Sequence, residues 1–557
     1  MIAIAAIAAL FVLFVWPWLA RGRLSRAIDR GVELVATAES PDALRLALSE
    51  WDRLTGDAWR DNPEALVDKI LRYNSLSDRR QRALLTYLVG VDYGDRPADW
   101  ERWRDNRKRI AAGQQPRVGQ KEAVKLELRW SAPIGLTASF TSILAIDRAI
   151  YVGSLGSAFD AADDPHDGVV RVDAQTGISE LLFEPPERGP RDVVGLAAGT
   201  DLLVAACRNG WVYGIRPDGK LVWKEKAGRV VVGGPLMVDI TRDDVADAIV
   251  AVDGQTLVCL NGSSGKGLWR SALPALGNAR ARRAGGVGLA LGDVLADAGD
   301  ELIATAGAGV YVVTAQNGRV RWQAEMPAES VGGPIVMADQ PAAGPIGVGL
   351  DAGCVMWTLG VSGATPQVSR RWPLALRGAP TALGAPRLMN QGPNQPLTLV
   401  GCISDLGAAQ PACVAGVALD QVMWRHAIEG EIRAAPAVAN LNAERGAELI
   451  VASVQPGVGG APRGALSVIS RDGHLLRRAD LEFGVETPPV VCDADGDGRL
   501  DVLIADESGM LHCFSTDGHG PVEWGLAGGD IRNSNNAAMA YSYGQAPTGY
   551  QWKWRPE

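Results

Sequence analysis

Two hydrophobic patterns divide the chain. The first twenty residues, MIAIAAIAALFVLFVWPWLA, hold no charged side chain. As a helix they would span about 30 Å, the thickness of a bilayer core. Trp16 and Trp18 stand where interfacial aromatics belong, and Pro17 predicts a kink or an end to the helix there. Residues 1–20 are therefore expected to form an uncleaved transmembrane anchor. A cleavable signal peptide would want a basic start, a shorter apolar core and a small-residue cleavage site, and none stands out. Arg21, Arg23, Arg26 and Arg30 follow directly, which by the positive-inside rule would hold the body of the protein in the cytoplasm.

From residue 24 to 115 the spacing is helical. Ser40 before Pro41 reads as an N-cap, and Leu44, Ala47, Leu48 and Trp51 then share one face. Asn62-Pro63 opens a second helix with Leu66, Ile70 and Leu71 on one side, and Ser77 caps a third carrying Leu84, Leu85 and Leu88. A fourth, strongly charged, begins at Asp99. The run from Leu84 to Asn106 resembles the closing segment of bacterial HEAT-type repeats, over about one repeat. A plain helical spacer reads equally well. Residues 116–124 follow as a linker.

The pattern then changes to short β-rich runs that repeat. A run opening on Gly or Pro and closing on an acid or Asn ends at Asp239, Asp293, Asp339, Asn390, Asn440 and Asp493. Divergent copies fit around Ile143–Asp147 and Val194–Gly199. A glycine stands four residues before a tryptophan at Gly219/Trp223, Gly265/Trp269 and Gly318/Trp322, and Trp372, Trp424 and Trp524 continue the series. Asp218-Gly219, Asn317-Gly318, Asp472-Gly473 and Asp517-Gly518 are hairpin-turn dipeptides. Each unit thus holds about four short strands, the content of a propeller blade. Eight rather than seven blades are expected over residues 125–543, with a tail at 544–557. Trp130 and Trp524 compete for the slot in the closing blade. Residues 125–131 are favoured as the closing strand, because closure by both chain ends removes exposed edges.

Composition fits this reading. Glycine supplies 66 of 557 residues, which needs many turns, and a 47% hydrophobic content is too high for a disordered chain. The net charge of −9 speaks against a nucleic-acid partner bound through a basic surface. Seven scattered cysteines make neither a disulfide framework nor a zinc site.

The glycine-turn and tryptophan frame resembles the PQQ-like repeats of quinoprotein dehydrogenases and of the outer-membrane assembly lipoprotein propeller. The acidic loops resemble FG-GAP/VCBS repeats, the integrin-type units. The clearest of these loops runs Asp493, Asp495, Asp497, Gly498, Arg499, Asp501. Carboxylates at positions 1, 3, 5 and 9, with the Arg499 carbonyl as backbone ligand, suit a structural Ca²⁺. Ile504 stands where an EF-hand would need Glu. Asp239, Thr241, Asp243 and Asp247 keep the same register and form a weaker second candidate. Asn440, Asn442, Glu444 and Glu448 keep oxygens with longer side chains, while the loop at Asp293, Asp297 and Glu301 has Leu295 in a ligand position.

Catalysis finds little support in the residues. Quinoprotein dehydrogenases use this architecture with a central Ca²⁺, an Asp base, a Trp floor and usually adjacent cysteines, and no two cysteines here are adjacent. The repeated tryptophans fit packing between blades better than cofactor stacking. No HxH, HExxH, GxSxG, Walker loop or triad is legible among His166, His426, His474, His512, His519 and their neighbours. The expectation is a membrane-anchored, non-catalytic protein-interaction scaffold without PQQ. A PQQ-type enzyme and an envelope-assembly or sensor factor binding partner peptides are the alternatives. The calcium loop favours an extracytoplasmic propeller, against the arginines after residue 20.

Overall fold

The computed structural model describes residues 16–37, isolated positions between 47 and 85, and residues 124–535 apart from loops such as 277–285, 390–397 and 405–411. Two compact units are present. One comprises Met1–Arg117 with Trp424–His426, the other Val118–Met423 with Ala427–Glu557.

In the first unit a helix runs Trp16–Thr37. Pro17 lies in the first turn of this helix, where a missing N–H costs nothing; the kink or end expected there concerns residues before Trp16, which lie outside the described residues. Ile28, Val32 and Val35 recur on one helical face and are buried. Ala47, Ile70, Leu84 and Leu85 are helical and buried, as their spacing predicts. No helix among the described residues is long and apolar enough to cross a membrane. The first fifteen residues of the expected anchor lie outside the described residues, as does most of the 24–115 module.

The second unit is nearly all β. Its described residues form eight antiparallel sheets of four or five strands. The first sheet is typical, with Ile143–Ile146, Ala149–Leu155, Asp167–Asp173 and Ser179–Phe183 side by side in chain order. Burial grades outward. Ala149–Leu155 is buried at every position, whereas the outermost strands Gly267–Ala272 and Val320–Glu325 alternate between exposed and partly exposed. Runs such as Ala248–Val252 and Leu302–Ala304 therefore read as continuous apolar stretches, because both faces are covered.

The first strands of successive sheets pack against each other. Ile143–Ile146 meets Val193–Ala198, which meets Val231–Val238, then Gly288–Gly292, then Ser330–Gln340. Later in the chain Arg387–Met389 meets Ala437–Ala439, which meets Val490–Cys492, and that strand returns to Ile143–Ile146. This is β-propeller architecture, with the last sheet meeting the first. The last sheet takes its outer strand from the start of the unit: Glu127–Pro133 pairs antiparallel with Met510–Ser515, Ser131 opposite His512. Trp130 thus holds the outer position of the closing sheet. Trp524 sits in Val522–Trp524, which pairs instead with the first strand of the preceding sheet, Val438 opposite Trp524.

Candidate functional site

The tryptophan frame has a simple mechanical cause. Three outer-strand indoles lie on the turn glycine of the next sheet and donate their N–H to a carbonyl there, whereas the buried indole nitrogen of Trp424, also on an outer strand, has no such bond. Trp130 bonds Ala174 O at 3.0 Å, Trp223 bonds Gly262 O at 2.6 Å and Trp269 bonds Ala315 O at 3.0 Å. The rings press on Gly177, Gly265 and Gly318, all at positive φ, where an added Cβ would approach them to 2.8, 2.6 and 2.5 Å. These tryptophans are consumed in packing. Where the first sheet lacks a tryptophan, Leu182 packs on Gly219 instead.

The acidic loops join the first and second strands of several sheets, and their ninth-position acids share one role. Asp247, Glu301, Glu448 and Asp501 each open a second strand and are buried. Each carboxylate accepts backbone N–H groups six or seven residues back. Asp247 takes Ile240 and Thr241 at 2.9 Å each, and Glu301 takes Val294 at 3.0 Å and Leu295 at 3.1 Å. Glu448 takes Leu441 at 2.7 Å, and Asp501 takes Ala494 at 3.3 Å. The first-position acids close Asx turns: Asp239 accepts from Arg242 and Asp243, Asp493 from Gly496 and Gly498. Carboxylate and amide thus satisfy each other.

Among the described residues, one group of three acids brings carboxylate oxygens within 4.8 Å of one another: Asp493, Asp495 and Asp497. Asp239, Asp243 and Asp247 do not form such a group. In the second candidate loop Thr241 spends its hydroxyl on Asp247 at 3.2 Å. In the first, Asp501 stands apart from the three. Its carboxylate faces Arg129 Nη1 at 3.2 Å, while Arg129 Nη2 holds Asp495 at 2.7 Å. Burial pushes Asp501 up to about 6 against the pull of Arg129, and burial also raises Asp493. Burial opposes the charge of Arg129, but Asp501, Cys513 and Asp495 together hold its pKa above the ordinary arginine value. The Arg499 side chain turns away to Asp517 at 3.3 Å. The guanidinium of Arg129 thus contacts two of the four carboxylates of the expected calcium loop.

Sequence reasoning also missed a polar chain on the closing strand. Ser131 Oγ lies 2.8 Å from His512 Nδ1, and His512 Nε2 lies 2.9 Å from Asp506 Oδ2. Asp506 is buried, and its other oxygen accepts from Ser508 and Met510. The order serine, imidazole, carboxylate is that of a hydrolase relay. Here Ser131 and His512 are direct cross-strand partners, so the chain ties the closing strand to its neighbour.

The tail after Trp524 runs along the first strands of several sheets. Gly525 O accepts from Val491 N, Ile531 O from Ala198 N, Arg532 O from Met237 N and Ser534 O from Leu291 N. The Asn533 amide donates to Leu196 O and Pro235 O, both at 2.9 Å, and Asn535 donates to Leu289 O at 2.8 Å. Asp530 shapes the turn by accepting from Arg532 N and from Ser534. Arg387, fully buried and pulled down to about 9 by that burial, donates to Ala527 O at 2.9 Å and lies over the Trp524 ring. The tail therefore lies across the innermost strands, where a propeller would carry its axial opening.

Residues 165–356 match the family model described as outer membrane protein assembly factor BamB. These repeats are PQQ-like. The matched stretch runs from the first sheet into the fifth. Among solved structures, Sqt1 of Saccharomyces cerevisiae is 9% identical, with 70% of this chain and 99% of that one covered at a TM-score of 0.50. BamB of Moraxella catarrhalis is 14% identical over 57% of this chain and 95% of its own, at a TM-score of 0.35. The quinohemoprotein alcohol dehydrogenase of Comamonas testosteroni is 13% identical over 70% and 76%, at 0.44. At these identities the likeness concerns fold alone. No curated protein matches the chain.

Proposed function

We propose that this protein is a non-catalytic protein-interaction scaffold, an eight-bladed PQQ-like propeller whose axis is filled by its own tail. The tail carries the reading. A quinoprotein site needs an open centre for its cofactor, and residues 525–535 bond the inner-strand amides of Ala198, Met237, Leu291 and Val491 and the carbonyls of Leu196, Pro235 and Leu289. The absorption of the tryptophans in packing between sheets supports the same conclusion. With the axis filled, the loop faces remain for partners. The description of the matched family supports an envelope-assembly role for those partners, and the net charge of −9 disfavours nucleic acid among them. A membrane tether through residues 1–20 and an extracytoplasmic propeller complete the proposal.

Structural calcium at Asp493, Asp495, Asp497 and Asp501 is a competing reading of one loop, supported by the convergence of the first three and opposed by Arg129. The experiment for the scaffold reading is incubation of the full chain with PQQ and calcium, then gel filtration and a dye-linked alcohol oxidation assay. The expected result is no retained chromophore and no turnover. Stoichiometric retention with turnover would overturn the reading.

A further inference from the structure

We propose that the resident cation of the Asp493–Asp501 loop is the guanidinium of Arg129, delivered by the ring-closing strand, and that a divalent ion and this strand exclude each other there.

The argument begins with charge. Four carboxylates, Asp493, Asp495, Asp497 and Asp501, stand within one nine-residue turn. Such a turn needs positive charge from somewhere, and a calcium ion would supply it through six to eight oxygens at about 2.3–2.6 Å. Here the charge arrives on an arginine 372 residues away in the sequence. Arg129 holds Asp495 with one terminal nitrogen at 2.7 Å and Asp501 with the other at 3.2 Å. Its side chain is 24% exposed, against 11% for Asp495 and 4% for Asp501, so salt screens the triad only in part. A second guanidinium, that of Arg148, lies against Gly496, where an added Cβ would come within 2.6 Å of its Nε.

Geometry then makes the occupants exclusive. An ion that recruited Asp495 and Asp501 would take both contacts of Arg129 and leave its charge beside a divalent cation. Arg129 also reaches Gln175 O in the first sheet at 3.5 Å, so its displacement would loosen the closing strand from both neighbours. Ion binding and strand docking are therefore negatively linked.

The test uses the full chain, thermal unfolding in excess EDTA or millimolar calcium, and equilibrium dialysis with radiolabelled calcium. Wild type is expected to melt at the same temperature in both media. Arg129→Gln is expected to melt several degrees lower in EDTA and to regain part of that loss in calcium. Wild type that melts higher in calcium than in EDTA would overturn the proposal. Should Arg129→Gln not fold, dialysis of wild type against Asp495→Asn decides. Equal calcium binding by the two supports the arginine as occupant, and one equivalent more on wild type overturns it.

Discussion

Trp223 rests on Gly265 of the following sheet, its indole N–H bonded to Gly262 O at 2.6 Å. Gly265 has a φ of +72°, and a Cβ there would meet the ring at 2.6 Å, so alanine is opposed by both backbone and packing. Gly265→Ala is expected to lower stability by about 2–4 kcal/mol. Trp223→Phe keeps an aromatic ring, though a smaller one, loses the hydrogen bond and is expected to lower it by about 1–2 kcal/mol. Urea denaturation followed by tryptophan fluorescence and circular dichroism measures both. A Gly265→Ala protein as stable as wild type would refute the docking role.

The loop acids yield a second prediction, because amide clamp and metal ligand respond differently. Asp247 accepts from Ile240 N and Thr241 N on one oxygen and from Gly262 N on the other, the last also at 2.9 Å. Asp247→Ala leaves those donors without their acceptor and is expected to lower stability by about 2–4 kcal/mol. Asp247→Asn keeps an acceptor oxygen and is expected to lose about half of that. Both losses should be the same in calcium and in EDTA. A loss that appears only in calcium would make Asp247 a ligand.

The pH dependence follows from a second acidic cluster in the first sheet. Asp167 is fully buried, and burial with the nearby Asp192 pushes its pKa up to about 6. A carboxyl raised in the folded state holds its proton longer there than in the unfolded chain. Stability from this group is therefore present below its ordinary pKa and falls as pH rises towards about 6. Asp501, also raised to about 6, acts in the same direction. Asp164 acts oppositely, since hydrogen bonds from Ser157 and His166 outweigh its burial and hold it well below the usual range. Its contribution is lost only in strong acid. Asp167→Asn is expected to flatten the fall between about pH 4 and pH 6 and to stabilise the protein at pH 7.5 by about 1–2 kcal/mol. Denaturation midpoints across that range test it, and an unchanged slope in the variant would exclude Asp167 as the source.

What the sequence could and could not reveal follows from range. The repeat was legible because a blade is a local object, with its strands, its turn glycine and its tryptophan recurring in one frame. The partner of each tryptophan was not, because Trp223 touches the glycine of the next unit rather than its own. The acids at 247, 301, 448 and 501 were legible as oxygens in register. Their use was ambiguous, since backbone amides and a metal ion want the same lone pairs. Arg129 left no signal beside the loop it serves, because only ring closure brings positions 129 and 501 together. The Ser131, His512 and Asp506 chain was hidden for the same reason. The polar tail looked like a loop because its partners are inward-facing carbonyls and amides of other sheets.

That tail gives the last prediction. Asn533 is 4% exposed, adopts a φ of +56° and spans two sheets through its amide, to Leu196 O and Pro235 O. Asn tolerates this conformation because its short polar side chain can bond locally, and here that side chain is turned to the two carbonyls. Asn533→Ala leaves both carbonyls without this donor in a buried place and is expected to lower stability by about 2–3 kcal/mol. Asn533→Asp replaces a donor by a buried anion facing two carbonyl oxygens and is expected to be worse. Limited proteolysis separates a local from a global effect. If the tail is an integral wedge of the ring, cleavage after Trp524 and unfolding of the sheets should share one midpoint in Asn533→Ala. If the tail peels away first, with the sheets still protected, it would be a separable plug, and the fluorescence of an added apolar dye should rise at the same denaturant concentration as the cleavage.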